Sequence, residues 1–145
     1  MAVVDAKAAA GVADAAGHGG QCLCGAASYR AQGLRDIWFC HCEQCRKVTG
    51  HYLAACRTEH ERLDISGEIS WSAHSGTSQL GRCTRCASPL FWRQPGSTTM
   101  SVLAGSLEHT HGITAVGHAF VGEKGDYYAI PDGLPQFTGT PTGGF

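Results

Sequence analysis

Seven of the eight cysteines in this chain fall into three tight groups: Cys22-Leu23-Cys24, Cys40-His41-Cys42-Glu43-Gln44-Cys45 and Cys83-Thr84-Arg85-Cys86. Thiolates one or two residues apart converge on a single soft cation, because a short knuckle points both sulfurs the same way. Zn²⁺ takes four such ligands tetrahedrally. Seven sulfurs cannot close two four-ligand sites. The count predicts one closed, structural metal and one three-cysteine metal with an open position, and an open position is where zinc does chemistry. The first and third groups read as two halves of one split ribbon. Pairing them joins the start of the domain to its middle, and the metal then contributes folding energy, because its site does not pre-exist in the unfolded chain.

The same cysteines in an oxidising compartment could form a disulfide framework. A C-x-C pair cannot easily bridge to itself, however, and the first residues carry no charged segment followed by an apolar one of the kind that directs secretion. Metal ligation in a cytoplasmic protein is the expectation. The longest apolar runs are broken well before the ~20 residues of a membrane span. With 11 Lys+Arg against 12 Asp+Glu, the formal charge of −1 offers no basic surplus for nucleic acid or anionic lipid. A small-molecule partner is expected instead.

At 145 residues the chain suits one domain with a core helped by metal staples. Residues 1–19 are rich in Ala and Gly and read as an appended tail, with a weak helix over 8–16. From Gly20 onward, short β-leaning runs alternate with Gly, Ser, Asp and Pro, which predicts an all-β domain over 20–137 and a C-terminal tail over 138–145. The predicted strands cover 26–31, 36–40, 52–57, 62–65, 69–73, 77–82, 89–93, 98–104 and 113–121. One helical turn is predicted through Glu43–Val48. Trp38, Trp71, Phe91 and Trp92 are expected in the core, because small strand-rich folds need large apolar side chains.

In this order, the cysteine groups and the segments around them resemble the family of glutathione-dependent formaldehyde-activating enzymes, which also contains the centromere protein V group. The matching stretches are Gly20–Tyr29, Cys40–Gly50, Cys83–Trp92, Ser101–Leu107 and His118–Phe137. The resemblance implies a Mss4-like, tent-shaped all-β fold with short helical turns. It implies a structural Zn²⁺ on Cys22, Cys24, Cys83 and Cys86 and a catalytic Zn²⁺ on Cys40, Cys42 and Cys45. It also implies carbon–sulfur lyase chemistry that joins formaldehyde to glutathione as S-hydroxymethylglutathione, with Lys124 and Tyr128 lining the cleft. Two positions depart from the family pattern: Arg82 stands where an aromatic is usual and Ala87 where a glycine is usual. Ala87 therefore either sits at ordinary φ or carries strain.

At a three-thiolate zinc the fourth position can take a substrate thiol and hold it ionised at neutral pH. Addition to a small aldehyde then creates an alkoxide that needs a proton, and His41, His51 and His118 are the candidate donors. Arg46 and Lys47 could meet a glutathione carboxylate or form a solvated helical face. Other readings stand beside this one. The second cluster could be another structural zinc closed by His41, His51 or Cys56, making the protein a binding or scaffold module. It could also be a redox-responsive zinc centre. Cys56 itself is expected to be a small buried hydrophobe, and His60, His74, His109 and His111 are expected to be solvated.

Overall fold

A computed structural model of the chain describes residues 17–142. Its strands are β1 (His18–Gln21), β2 (Ser28–Ala31), β3 (Arg35–Cys40), β4 (Leu53–Glu59), β5 (Leu63–Ser66), β6 (Ile69–Ala73), β7 (Gln79–Cys83), β8 (Pro89–Arg93), β9 (Thr99–Leu103) and β10 (Ala115–Ala119). Among the described residues one α-helix, α1 (Glu43–Thr49), follows the second cysteine group. The fold is all-β, as expected, and of the Mss4-like kind. Strands β1, β2 and β5 form a small antiparallel sheet in the order β1-β2-β5. The other seven form a large sheet in the order β10-β3-β4-β9-β8-β7-β6, in which only β10 and β3 run parallel.

The core lies where the small sheet meets β8 and β9. Leu90, Phe91 and Val102 are fully buried there, with Tyr29, Ala31 and Met100 packed against them. The Tyr29 and Phe91 rings meet edge-on at 5.1 Å, and the Tyr29 hydroxyl hydrogen-bonds Ser106 at 2.6 Å. Each large side chain contributes about 1.5–3 kcal/mol by leaving water. Of the four aromatics expected in the core, Phe91 is fully buried and Trp71 packs against it from the edge. Trp38 and Trp92 instead remain half-buried as walls of a cavity; Trp92 follows Phe91 on β8 and so points to the opposite face of the sheet.

Helix α1 is short because both ends are written locally. Cys42 caps its N-terminus, with Sγ accepting from the Cys45 amide at 3.4 Å, and Gly50, at φ 82°, closes its C-terminus with its N–H on the Arg46 carbonyl. The cap therefore aims the Cys42 sulfur at the first turn.

The boundary expected at residue 20 moves to the start of β1. His18, Gly19 and Gly20 are buried and pair with Ala31, Arg30 and Tyr29. Composition hid this strand, since ladder hydrogen bonds need backbone rather than bulky side chains. The helix expected over 8–16 lies outside the described residues. The C-terminal tail expected from 138 is likewise pinned at its start. The carbonyls of Thr138 and Gly139 accept from the amides of Gly122 and Phe120, and Pro141 is buried. Among the described residues no helix is long and apolar enough to cross a membrane.

Candidate metal centres

Cys22 and Cys24 follow β1, Cys83 ends β7 and Cys86 lies in the turn to β8, and their four sulfurs gather within 4.8 Å of one another. Cys22 Sγ lies 3.6 Å from Cys24 Sγ, which is 3.8 Å from Cys83 Sγ. Metal–sulfur bonds of about 2.3 Å give a tetrahedron with edges of about 3.8 Å, so the donor set fits one tetrahedral soft cation. The surrounding groups favour thiolates. The amides of Ala27 and Arg85 donate to Cys22 and Cys83 at 3.2 and 3.3 Å, and the Ser88 hydroxyl meets Cys86 at 3.1 Å. Hydrogen bonds from the Ser88 side chain and backbone bring the Cys86 thiol down to about 5. Ala87 adopts φ 62° and donates its N–H to the Cys83 carbonyl. The knuckle is therefore left-handed, and the alanine carries the strain that a glycine would avoid.

Cys40 ends β3, Cys42 caps α1 and Cys45 lies in its first turn, which brings three sulfurs within 4.8 Å of one another. Hydrogen bonds from the Cys40 and Cys45 thiols hold Cys42 well below the ordinary thiol range. Cys40, sharing its proton with Cys42, is pushed up to about 12, and Cys45 rises for the same reason, first through Cys40. The first proton leaves this cluster readily. A bound cation would favour loss of the other two.

A cavity of about 600 Å³ opens onto these three sulfurs. Trp38, Trp92, Leu53 and Phe120 form its apolar walls, and Arg35, Arg57, His74 and Glu123 are among its charged and polar lining. Phe120 holds a left-handed φ of 56° beside Cys42 and Cys45. Such strain persists where the surroundings over-determine it.

Side chains alternate along β3, so Trp38 and Cys40 face the cavity while Phe39 faces the other way. The candidate histidines belong to that other side. The His41 and His118 rings bond at 2.9 Å, His41 Nδ1 meets the Tyr128 hydroxyl at 2.5 Å, and His118 Nε2 meets Asp132 at 2.7 Å. The Leu134 amide, and then His118, hold the Asp132 carboxyl below its usual range, so it only accepts. Its direction orders the whole chain: His118 Nε2–H donates to Asp132, His41 Nε2–H donates to His118 Nδ1, and Tyr128 O–H donates to His41 Nδ1. Burial, followed by the charges of His118, His51 and Lys124, brings His41 down to about 4. This relay braces the loop between Cys40 and Cys42 from behind and does not line the cavity.

The remaining candidates lie further out. His51 is exposed and bonds Tyr127 at 2.5 Å. Lys124 spends its ammonium on the carbonyls of Gly125 and Tyr128. Lys47 pairs with Glu43 at 2.6 Å on the exposed face of α1, whereas Arg46 is half-buried, its Nε out of contact with water. None of these lines the cavity. Cys56 is buried, as expected, with Sγ on the Val102 carbonyl. Two of the histidines expected to be solvated, His109 and His111, stack at 4.8 Å beside buried His18. A third, His74, is the imidazole that faces the sulfurs, with Nε2 3.5 Å from Cys45 Sγ. Arg35 and Arg57 escaped notice, and His74 reads as a solvated residue, because nothing in their local sequence marks them.

Together the sheets and the two sulfur clusters define a small all-β domain with two candidate metal centres, one enclosed by four cysteines and one facing a cavity. The model of the glutathione-dependent formaldehyde-activating enzyme family matches residues 17–123, and the chain belongs to that family. None of the curated proteins matches it. Among solved structures it is similar to a Rhodobacter sphaeroides protein at 18% identity and a TM-score of 0.54, covering 81% of this chain and 98% of that one. That likeness concerns the fold.

Proposed function

We propose that the protein is a zinc-dependent carbon–sulfur lyase acting on adducts of a glutathione-type thiol with small aldehydes, with S-hydroxymethylglutathione as the prototype. The observation that carries this reading is the cavity above Cys40, Cys42 and Cys45, since a purely structural cluster needs no access. A zinc ion held by the three sulfurs would keep an incoming thiol ionised at neutral pH.

The chain's own residues supply the rest. Arg35 and Arg57 lie directly opposite each other in the β3–β4 register, and like charges in that relation cost stability. A carboxylate of the thiol compound would relieve the repulsion by accepting from both. Trp38, Trp92 and Phe120 would cover the aldehyde carbon and exclude water. In the forward direction the sulfur–carbon bond forms, the carbonyl π pair moves to oxygen, and the proton lost by the thiol returns to that oxygen. His74, Ser75 and Glu123 are the lining groups placed to carry it. His41 and His118 act at one remove by holding the Cys40–Cys42 loop.

The test is exchange spectroscopy on ¹³C-formaldehyde and glutathione with zinc-loaded protein. Adduct formation faster than the uncatalysed rate is expected, lost in Cys42→Ser and kept in Cys56→Ser. No acceleration by protein carrying two zinc ions would sink the proposal.

A further inference from the structure

Three sulfurs leave a tetrahedral centre one ligand short, and His74 is the imidazole that reaches the cluster, at its Cys45 corner. Its Nε2 lies 3.5 Å from Cys45 Sγ. With metal–sulfur bonds of about 2.3 Å and metal–imidazole bonds of about 2.0–2.1 Å, the nitrogen–sulfur edge of a tetrahedron is about 3.5 Å. Cys45 and His74 are thus already spaced as two ligands of one ion. Metal entry would draw the ring from the Cys45 corner toward the centre of the sulfur triangle.

The other groups within reach are engaged elsewhere. Both ring nitrogens of His41 are used, by Tyr128 and His118, His51 bonds Tyr127, and Cys56 is turned to Val102. The turn that carries His74 is also rigid. The His74 amide donates to the Ser78 carbonyl, the Ser78 amide to the Ser75 carbonyl and the Ser75 amide to Ser78 Oγ, all at 2.9–3.0 Å. Ser78 is 2% exposed. The backbone that carries the imidazole is therefore fixed before any metal arrives, and only the ring has to turn.

We propose that His74 is the fourth protein ligand of the three-cysteine centre, closing it as Cys₃His whenever no thiol occupies the cavity. Seven cysteines and one histidine then complete two four-ligand sites. The centre at rest is closed by a neutral ligand, one that an anionic thiolate can displace, rather than open. The inference rests on reading the trio as a metal site and is independent of the lyase chemistry.

Full-length protein loaded with ¹¹³Cd and labelled with ¹⁵N-histidine gives the test. Two cadmium resonances are expected, one with scalar coupling to a histidine nitrogen. In His74→Gln that coupling disappears, while the resonance of the four-cysteine centre persists and reports an intact fold. Loss of the second cadmium resonance in the variant would support the same conclusion, since three sulfurs alone would then hold the ion too weakly. No coupling in the wild type, or coupling that survives in His74→Gln, overturns the proposal. A single cadmium resonance in the wild type overturns it together with the metal reading. Coupling without acceleration of formaldehyde–glutathione exchange leaves His74 in place and sinks only the lyase.

Discussion

Ala87 is a small residue with a measurable cost. Its left-handed φ of 62° places Cβ against the carbonyl, at roughly 1–2 kcal/mol for an L-residue. Ala87→Gly should therefore stabilise the metal-loaded protein by about 1 kcal/mol in denaturant unfolding, and an unchanged midpoint would mean the knuckle is not left-handed. His41 offers a second residue-level test. Its folded value of about 4 lies below the ordinary ~6.5 of histidine. The unfolded chain thus binds the proton first on acidification. The stability His41 contributes is complete above about 6.5 and is lost as pH falls through about 4. A histidine-resolved NMR titration should show the His41 ring neutral at pH 5.5, and titration near 6.5 would contradict the ordered relay.

At the scale of elements, β10 presses on the cavity wall through Gly117. A Cβ added there would sit 2.5 Å from the Trp38 ring. Gly117→Ala should push Trp38 toward the cavity, cost about 1–3 kcal/mol by overpacking and weaken thiol binding, as a thermal melt and a glutathione titration would read. Most of these elements were legible in the sequence. Runs such as Ile69–Ala73 and Pro89–Arg93 combine β-branched and aromatic residues between turn signals, and the structure matches them. Helix α1 was legible because its cap, its i,i+4 pair and its closing glycine are all local. Strand β1, HGGQ, was not. Its glycines have low strand propensity, and it exists because β2 offers it a backbone edge.

Across the whole molecule, the two centres should fail differently. The four-cysteine centre ties the segment after β1 to the β7–β8 turn, so Cys83→Ser should abolish folding. Cys42→Ser should leave a folded domain with one metal per chain, as metal analysis with circular dichroism would show. A Cys42→Ser protein that cannot fold would make the second centre structural too. The sequence by itself determined the cysteine clusters that could hold metal, the all-β class and the family, because knuckle spacing and strand patterning are short-range properties of the chain. Only the tertiary structure decided what surrounds the three-cysteine cluster. Strands β3 and β6 lie at nearly opposite ends of the large sheet, and only its curvature brings His74 to Cys45. His41, just past the end of β3, is held by Tyr128 and His118 away from the cavity that Cys40 faces. Neither relation is a distance along the chain. Both depend on how the sheet closes over its own face.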